Sequence, residues 1–167
     1  VVGAMSLPSL GQSQAASTAL GGRWVYSGAP AEGEQIVAQA VEPVLARTRP
    51  DIQAIARERI AESTWLPTSI RIRAGRRLEV ALSGSERRVF AGAPGSTIQV
   101  PMRHGYAQLV QTIRPDGGLL QSFTALDGTQ QNVFSPGPGR TLILDVSLQS
   151  PKLPGPIHFA LEYRRGS

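Results

Sequence analysis

Two Asp-Gly dipeptides in the second half of the chain most constrain how it can fold. Asp116-Gly117 and Asp127-Gly128 bracket an apolar stretch. Asp-Gly between apolar runs is typical of tight hairpin turns, whose central residues need positive φ. We therefore predict three successive antiparallel strands at about 106–113, 119–126 and 129–134. Such a meander either closes into a barrel or leaves an edge strand exposed.

Period-two alternation of side chains predicts seven further strands. The clearest is the last one, in which Ile157, Phe159, Leu161 and Tyr163 share one face. We expect the apolar face of each strand to point into a closed barrel. The seven strands are predicted at about 22–26, 69–74, 77–83, 87–91, 97–100, 141–149 and 157–164.

Two amphipathic helices are predicted between the first and second strands, at about 34–47 and 51–62. Pro43 is expected to kink the first helix or to split it at Glu42, and Asp51 is expected to cap the second. Their apolar faces are interpreted as core, with membrane contact as the alternative. The predicted fold is therefore mostly β: a ten-stranded antiparallel up-and-down β-barrel with a helix-turn-helix lid between the first and second strands.

Charge divides the chain into an uncharged leader, residues 1–22, and a single β-barrel domain, residues 23–167. The leader has three interpretations: a processed secretory signal remnant with Ser13-Gln14-Ala15 as its small-x-small cleavage site, a flexible linker, or a segment that docks on a partner. We favour a periplasmic or secreted location over a cytoplasmic one.

The composition excludes several classes of chemistry. The chain has no cysteine, which excludes disulfides and thiolate catalysis. Its net charge is +5 and Lys152 is its single lysine, an arginine bias that we attribute to a bacterial GC-rich genome. Because no basic run with interleaved aromatic residues occurs, we predict no nucleic-acid partner.

Catalytic and metal-binding constellations are not found either. His104 and His158, the two histidines, fall on different predicted elements and do not make a metal site. No Ser-His-Asp arrangement, paired carboxylates or phosphate-binding glycine loop can be argued from the residues. We predict that the protein is not an enzyme and that it holds no metal or cofactor.

The order of these elements, one strand, a helical hairpin and nine meandering strands, resembles that of the intracellular fatty-acid-binding proteins of the calycin (lipocalin-like) group. The resemblance covers about 22–165 and includes an opening Gly-x-Trp, Gly22-Arg23-Trp24, and Leu66-Pro67-Thr68 at the second strand. The two Asp-Gly turns and a last strand ending in Tyr163 complete it. It implies a flattened barrel with an interior cavity, a helical portal, and transport of fatty acids or other apolar small molecules.

One motif of that family is incomplete. Many members clamp a ligand carboxylate with Arg-x-Tyr on the last strand, where this chain has Leu161-Glu162-Tyr163. Without that arginine a carboxylate loses its charge-assisted partner, unless Arg103 or Arg140 reaches inward instead. The ligand is then expected to be neutral, held by shape and the hydroxyl of Tyr163, or absent. The candidate lining residues are Tyr163, Leu161, Phe159, Leu144, Val146 and Phe123.

Arginine is concentrated on the second to fourth predicted strands. These side chains form either a solvated face or a contact surface for anionic lipid headgroups, each worth on the order of 1 kcal/mol. The six are Arg71, Arg73, Arg76, Arg77, Arg87 and Arg88.

Two hypotheses for function follow. The first is a non-catalytic carrier that holds an apolar small molecule or lipid in the barrel cavity, with possible transient contact to an anionic membrane surface. The second is a structural or assembly subunit with a filled barrel, whose N-terminal leader lies across a partner protein. The two differ in whether the interior of the barrel is hollow.

Overall fold

Ten antiparallel strands and two helices make up the part of the chain that the computed structural model describes, residues 18–167. The predicted fold class is confirmed, with both helices between the first and second strands. The helices are α1 (Pro30–Ala46) and α2 (Gln53–Ser63). The strands are β1 (Gly22–Tyr26), β2 (Pro67–Ala74), β3 (Leu78–Gly84), β4 (Arg87–Gly92), β5 (Thr97–Met102), β6 (Gly105–Ile113), β7 (Leu119–Ala125), β8 (Gly128–Pro136), β9 (Leu142–Gln149) and β10 (Ile157–Arg165).

The sheet closes almost completely because its first and last strands pair with each other. Its order is β4-β3-β2-β1-β10-β9-β8-β7-β6-β5, with all neighbours antiparallel. The two edges, β4 and β5, have no ladder between them. The barrel is therefore nearly closed, with one seam.

Buried and exposed side chains alternate along the strands, as the sequence predicts. Along β10, Ile157, Phe159, Leu161 and Tyr163 are buried, and the residues between them are exposed. Full burial of such a side chain stabilises the fold by roughly 1.5–3 kcal/mol. The inward faces of the strands thus supply most of the core.

The end of the barrel away from the helices is closed by Trp24. Its Nε1 donates a hydrogen bond to the carbonyl oxygen of Leu20 at 2.9 Å, and the guanidinium of Arg165 lies 4.1 Å from its ring centroid. Leu20 is itself buried, so residues 18–22 of the predicted leader pack against the barrel. Residues 1–17 lie outside the described part of the chain, and the division at residue 22 stays a prediction.

A split of the first helix at Glu42 and a cap by Asp51 are both wrong, whereas the alternative, a kink at Pro43, stays a prediction. α1 begins at Pro30 and continues through Pro43 to Ala46 without a split. Pro43 lies in the last turn, where the single lost backbone hydrogen bond does not end the helix. Asp51 does not cap α2, since Ile52 precedes the helix and Asp51 pairs with Arg49 at 2.7 Å.

Both predicted hairpins form, but with different turns from those expected. In the first, Gly117 has a φ of 83° inside a longer loop between β6 and β7. In the second, Leu126 and Asp127 are the two central residues, and the positive φ, 156°, falls on Gly128 in β8. At Gly128 the backbone also passes so close to the carbonyl oxygen of Gln149 that a side chain would not fit, which is a second reason for glycine there.

Candidate ligand-binding cavity

A cavity of about 700 Å³ lies beneath α2, at the end of the barrel opposite Trp24. We call this the mouth end. The loops joining β5 to β6, β7 to β8 and β9 to β10 meet α2 there. The apolar side chains that line the cavity are Ile52, Ile55, Ala56, Ile60, Trp65, Leu82, Phe90, Val100, Met102, Ala107, Phe123, Ala125, Leu126, Leu148 and Leu153.

Strand register arranges the inward side chains of β6 to β10 in cross-strand rows. The lower row, nearer the closed end, is Ile113, Leu119, Phe134, Leu144 and Leu161. The middle row is Gln111, Gln121, Asn132, Val146 and Phe159. The upper row is Leu109, Phe123, Gln130, Leu148 and Ile157. The cavity is lined by Phe123, Gln130 and Leu148 of the upper row and Asn132 of the middle row.

Four carboxamides form a continuous chain of hydrogen bonds that starts at the bottom of the cavity and runs into the core, and we call it the amide chain. Gln130 donates to Asn132 at 3.0 Å, Asn132 to Gln121 at 3.1 Å, and Gln121 to Gln111 at 2.8 Å. Gln111, Gln121 and Asn132 are all buried. A buried amide without a partner destabilises the fold by about 1–3 kcal/mol. The hydrogen bonds of the amide chain therefore allow polar side chains in the middle row.

The amide chain also ties together the two sides of the barrel seam. Nε2 of Gln111, on β6, lies 3.3 Å from the carbonyl oxygens of Leu78 in β3 and Phe90 in β4. At the other end, Nε2 of Gln130 donates to the carbonyl oxygen of Ser63 at the end of α2, at 3.2 Å. One polar network therefore links the seam, the cavity bottom and the roof helix.

Ion pairs hold α2 over the mouth. Asp127, in the turn between β7 and β8, pairs with Arg59 of α2 and accepts a hydrogen bond from Lys152 Nζ at 2.7 Å. The hydrogen bond from Lys152 lowers the pKa of the Asp127 carboxyl, aided by the charges of Arg59 and Lys152 and opposed by partial burial. Glu62 of α2 also accepts a hydrogen bond from the backbone N–H of Arg103 at 2.7 Å. α2 is thus connected to two mouth loops by charged groups.

The six arginines predicted as one contact surface are spread along the barrel. Arg76 and Arg77 lie in the turn between β2 and β3, about 20 Å, the length of β3, from Arg87 and Arg88. Arg71 and Arg73 lie on the outer face of β2. A role for any of them in contact with anionic lipid stays a prediction.

Arg88 differs from the other five because it lines the cavity. It is half-buried, pairs with Glu86 at 2.9 Å, and lies 5.8 Å from the ring centroid of Trp65. Arg103 and Arg140, considered as replacements for the missing clamp, are exposed at opposite ends of the barrel. The cations that line the cavity are therefore Arg88 on β4, Arg59 on α2 and Lys152, and whether any of them replaces the missing clamp stays a prediction.

Of the six predicted lining residues, Phe123 lies on the cavity wall. Leu144 and Leu161 lie in the lower row, and Val146 and Phe159 lie in the middle row, all buried in the packed core. They point inward as predicted, but other side chains fill the space around them. Whether any of the six contacts a ligand stays a prediction.

The sixth, Tyr163, has its hydroxyl engaged by the protein itself. It donates to the carbonyl oxygen of Pro67 at 2.7 Å, and its ring packs edge-on against Tyr26 with centroids 5.7 Å apart. Burial raises the pKa of Tyr163 well above its usual range, so the group stays protonated. This hydroxyl joins β10 to β2 and is not presented to the cavity.

Neither histidine has a metal-binding environment in the described part of the chain. His104 lies 4.0 Å from Glu58, at the mouth, and His158 pairs with Asp145 on the outer face of the barrel. Within residues 18–167 no group of three His, Asp or Glu side chains is close enough to hold a metal ion. No helix in that range has the length and apolar character needed to cross a bilayer.

Solved structures share this fold along nearly their whole length. A secretory abundant heat soluble protein from Ramazzottius varieornatus has a TM-score of 0.58 at 9% identity, covering 92% of this chain and 100% of that one. A Schistosoma mansoni fatty-acid-binding protein in complex with arachidonic acid has a TM-score of 0.54 at 12% identity, covering 91% and 100%. Zebrafish ileal bile acid-binding protein complexed with cholic acid has a TM-score of 0.53 at 11% identity, covering 89% and 100%.

The predicted resemblance is therefore confirmed for the fold: this is the barrel of the fatty-acid-binding proteins and related calycins. No protein-family model and no curated protein sequence matches the chain. At these identities the likeness concerns architecture alone, so the chemistry of the cavity has to be argued from this chain's own residues.

Sequence reasoning missed the amide chain, and it assigned Arg88 to an outer contact surface and not to the cavity lining. The signal for the amides was present: Gln111, Gln121 and Asn132 each occupy an inward position on a strand whose other inward side chains are mostly apolar. An inward polar residue on three successive strands predicts a buried hydrogen-bonded row, because each would be costly alone. For Arg88, the alternation of β4 with Phe90 inward would have placed it inside.

Proposed function

We propose that this protein binds an apolar small molecule or lipid in the barrel cavity and acts as a non-catalytic carrier. The observation that carries the proposal is the cavity itself, about 700 Å³ in volume and walled largely by aliphatic and aromatic side chains. Ligand sites typically enclose roughly 300–1,000 Å³ and combine apolar walls with a few polar groups. Two proteins of the same fold are complexed with arachidonic acid and with cholic acid.

α2 would serve as the roof that a ligand passes. Its contacts with the mouth loops are mainly ion pairs and hydrogen bonds between exposed groups, such as Arg59 with Asp127. Exposed pairs of this kind contribute only about 0–1 kcal/mol each, so the roof can part from the loops without unfolding the barrel. The packed lower row would remain intact during this motion.

Fluorescence titration with the neutral dye Nile red tests the proposal. The unmodified protein is expected to bind about one dye per chain, with increased dye emission as the dye leaves water. Ala56→Trp places a large ring in the cavity from α2, and we expect it to weaken dye binding at least about tenfold, since its ring occupies the space of the ligand.

The matched control is Ala54→Trp, on the exposed face of the same helix. It adds the same ring without entering the cavity and should bind the dye as the unmodified protein does. Equal binding by both variants and the unmodified protein would mean that the dye binds elsewhere, and would refute the cavity as the ligand site.

The alternative, an assembly subunit with a filled barrel, has one observation in its favour. The lower row and the residues below it are packed as a solid core, with Phe134, Leu144 and Tyr163 almost fully buried. The cavity above them favours the carrier. A subunit of this kind would bind no dye and would be isolated with a partner protein attached.

A further inference from the structure

The order in which the four amides donate and accept hydrogen bonds indicates which class of ligand the cavity takes. This inference rests on the binding function proposed above. Which end of a carboxamide is oxygen is decided by its partners. Nε2 of Gln111 lies 3.3 Å from two backbone carbonyl oxygens, those of Leu78 and Phe90. Because a carbonyl oxygen only accepts, the group facing them must be the NH₂ of Gln111. Its oxygen therefore faces the next amide.

The orientation of Gln111 determines that of the other three amides in turn, as far as the cavity. The oxygen of Gln111 accepts from Gln121, that of Gln121 accepts from Asn132, and that of Asn132 accepts from Gln130. Nε2 of Gln130 also donates to the carbonyl oxygen of Ser63, which requires the same orientation independently. Backbone carbonyls at both ends thus fix a single direction for all four amides.

The acceptor left over at the cavity is Oε1 of Gln130. Among the residues 18–167, none donates a hydrogen bond to this oxygen, and Gln130 lines the cavity. Both donor contacts of its own NH₂ are in use, and hydrogen bonds in series polarise one another, which strengthens the terminal acceptor. The cavity therefore presents a fixed hydrogen-bond acceptor next to apolar walls.

The cations that line the cavity are already engaged by carboxylates of the protein. Arg59 and Lys152 share Asp127, and Arg88 pairs with Glu86. These largely exposed pairs are individually weak, and the three cations face two carboxylates, so charge alone does not decide the class of headgroup. What disfavours an ionised carboxylate at Gln130 is the acceptor itself, an oxygen to which a carboxylate cannot donate.

We propose that the ligand is an uncharged amphiphile whose hydroxyl or amide N–H donates to Oε1 of Gln130. Its apolar part would extend between α2 and the edge-on pair Phe90 and Phe123, whose ring centroids lie 5.5 Å apart. The headgroup is thus received by a carboxamide acceptor on β8, without a contribution from the buried hydroxyl of Tyr163.

Three probes of similar size distinguish a headgroup that donates a hydrogen bond from one that only accepts and from one that is ionised. Dodecanol carries a donor, methyl undecyl ether carries an acceptor alone, and dodecanoate at about pH 8 is ionised. Displacement of Nile red from the unmodified protein is expected to show dodecanol binding about tenfold more tightly than either of the others. Equal affinity for alcohol and ether, or tighter binding of dodecanoate, would overturn the inference while leaving the binding function standing.

Gln130→Leu removes the acceptor and is expected to abolish the preference for alcohol over ether. Gln131→Leu, the next residue on β8 and exposed on the outer face, is the matched control and should retain the preference. If Gln130→Leu fails to fold, the comparison of the three probes on the unmodified protein still decides the question. If neither the dye nor any probe binds, the proposed function and this inference both fall.

Discussion

The lower and upper halves of the barrel interior are built from the same strands yet differ in what fills them. The lower row consists of large apolar side chains such as Phe134 and Leu161, and it is packed solid. The upper row interrupts the apolar series with Gln130 and faces small residues such as Ala56 and Ala107, and there a cavity of about 700 Å³ remains. Alternation determines which side chains point inward, whereas their size and polarity in each row determine whether the interior is filled.

The amide chain separates the two halves. Gln111, Gln121 and Asn132 lie in the row directly above the packed one, and each of the four NH₂ groups donates to another amide or to a backbone carbonyl. Below it, burial of apolar surface dominates the energetics; above it, the same surface is left for a ligand to cover. We therefore predict that substitutions below the amide chain change the stability of the fold, and that substitutions above it change ligand binding.

Phe134→Ala should have the largest effect on stability. Phe134 is fully buried in the lower row, and the cavity left by its ring should reduce the free energy of unfolding by about 3–5 kcal/mol. Urea denaturation measures this loss, with Nile red affinity unchanged under native conditions. The matched change above the amide chain, Phe123→Ala, should destabilise less, because Phe123 already borders a void, and it should weaken dye binding. A larger loss of stability in Phe123→Ala, or a loss of dye binding in Phe134→Ala, would contradict this division of the interior.

Gln121→Leu tests the boundary between the halves. The leucine is similar in size, but it leaves Nδ2 of Asn132 and Oε1 of Gln111 without their partners. We expect the free energy of unfolding to fall by about 2–4 kcal/mol. Gln108→Leu, on the exposed face of β6, is the control and should change it by less than about 0.5 kcal/mol. A Gln121→Leu variant more stable than the parent would show that the amide chain is not what stabilises this row.

Tyr163→Phe tests whether the hydroxyl of Tyr163 belongs to the packed lower half of the barrel and not to the cavity. The substitution removes the hydrogen bond to the carbonyl oxygen of Pro67 and should destabilise the fold by about 1 kcal/mol. Affinities for dodecanol and for dodecanoate should both stay the same, because the hydroxyl does not reach the cavity. A selective loss of affinity for one of the two probes would place Tyr163 in the ligand site.

Asp127→Asn should have the smallest effect on stability, at about 0.5 kcal/mol, reduced further by salt. Because the folded-state pKa of Asp127 lies below its unfolded value, the contribution is present above the unfolded pKa, near 4, and disappears as pH falls through the folded pKa. The difference in stability between parent and variant should therefore vanish in acid. Stopped-flow dye binding should show faster association and dissociation in the variant at neutral pH, since α2 loses a contact with the mouth. Unchanged rates would rule out this contact as a restraint on ligand passage.

The fold could be predicted from the sequence because the sequence signals for its elements are local and repeated. Ten alternating strands, two glycine-containing turns and a helical hairpin each constrain a few neighbouring residues, and their order admits few topologies. The packing of the barrel interior was harder to predict from the sequence. Whether Leu144 faces a ligand or a packed core depends on residues brought together by register from five strands, such as Phe134 and Leu161. The pairing of Asp127 with Arg59 likewise joins a turn and a helix that the sequence does not relate.

Native mass spectrometry of the protein equilibrated with dodecanol shows whether the upper half of the barrel is hollow and takes a ligand. We expect a saturable complex of one dodecanol per chain for the unmodified protein and for Ala54→Trp, and no such complex for Ala56→Trp, with all three folded. Complexes of several dodecanol molecules that do not saturate, or equal uptake by Ala56→Trp, would contradict this expectation.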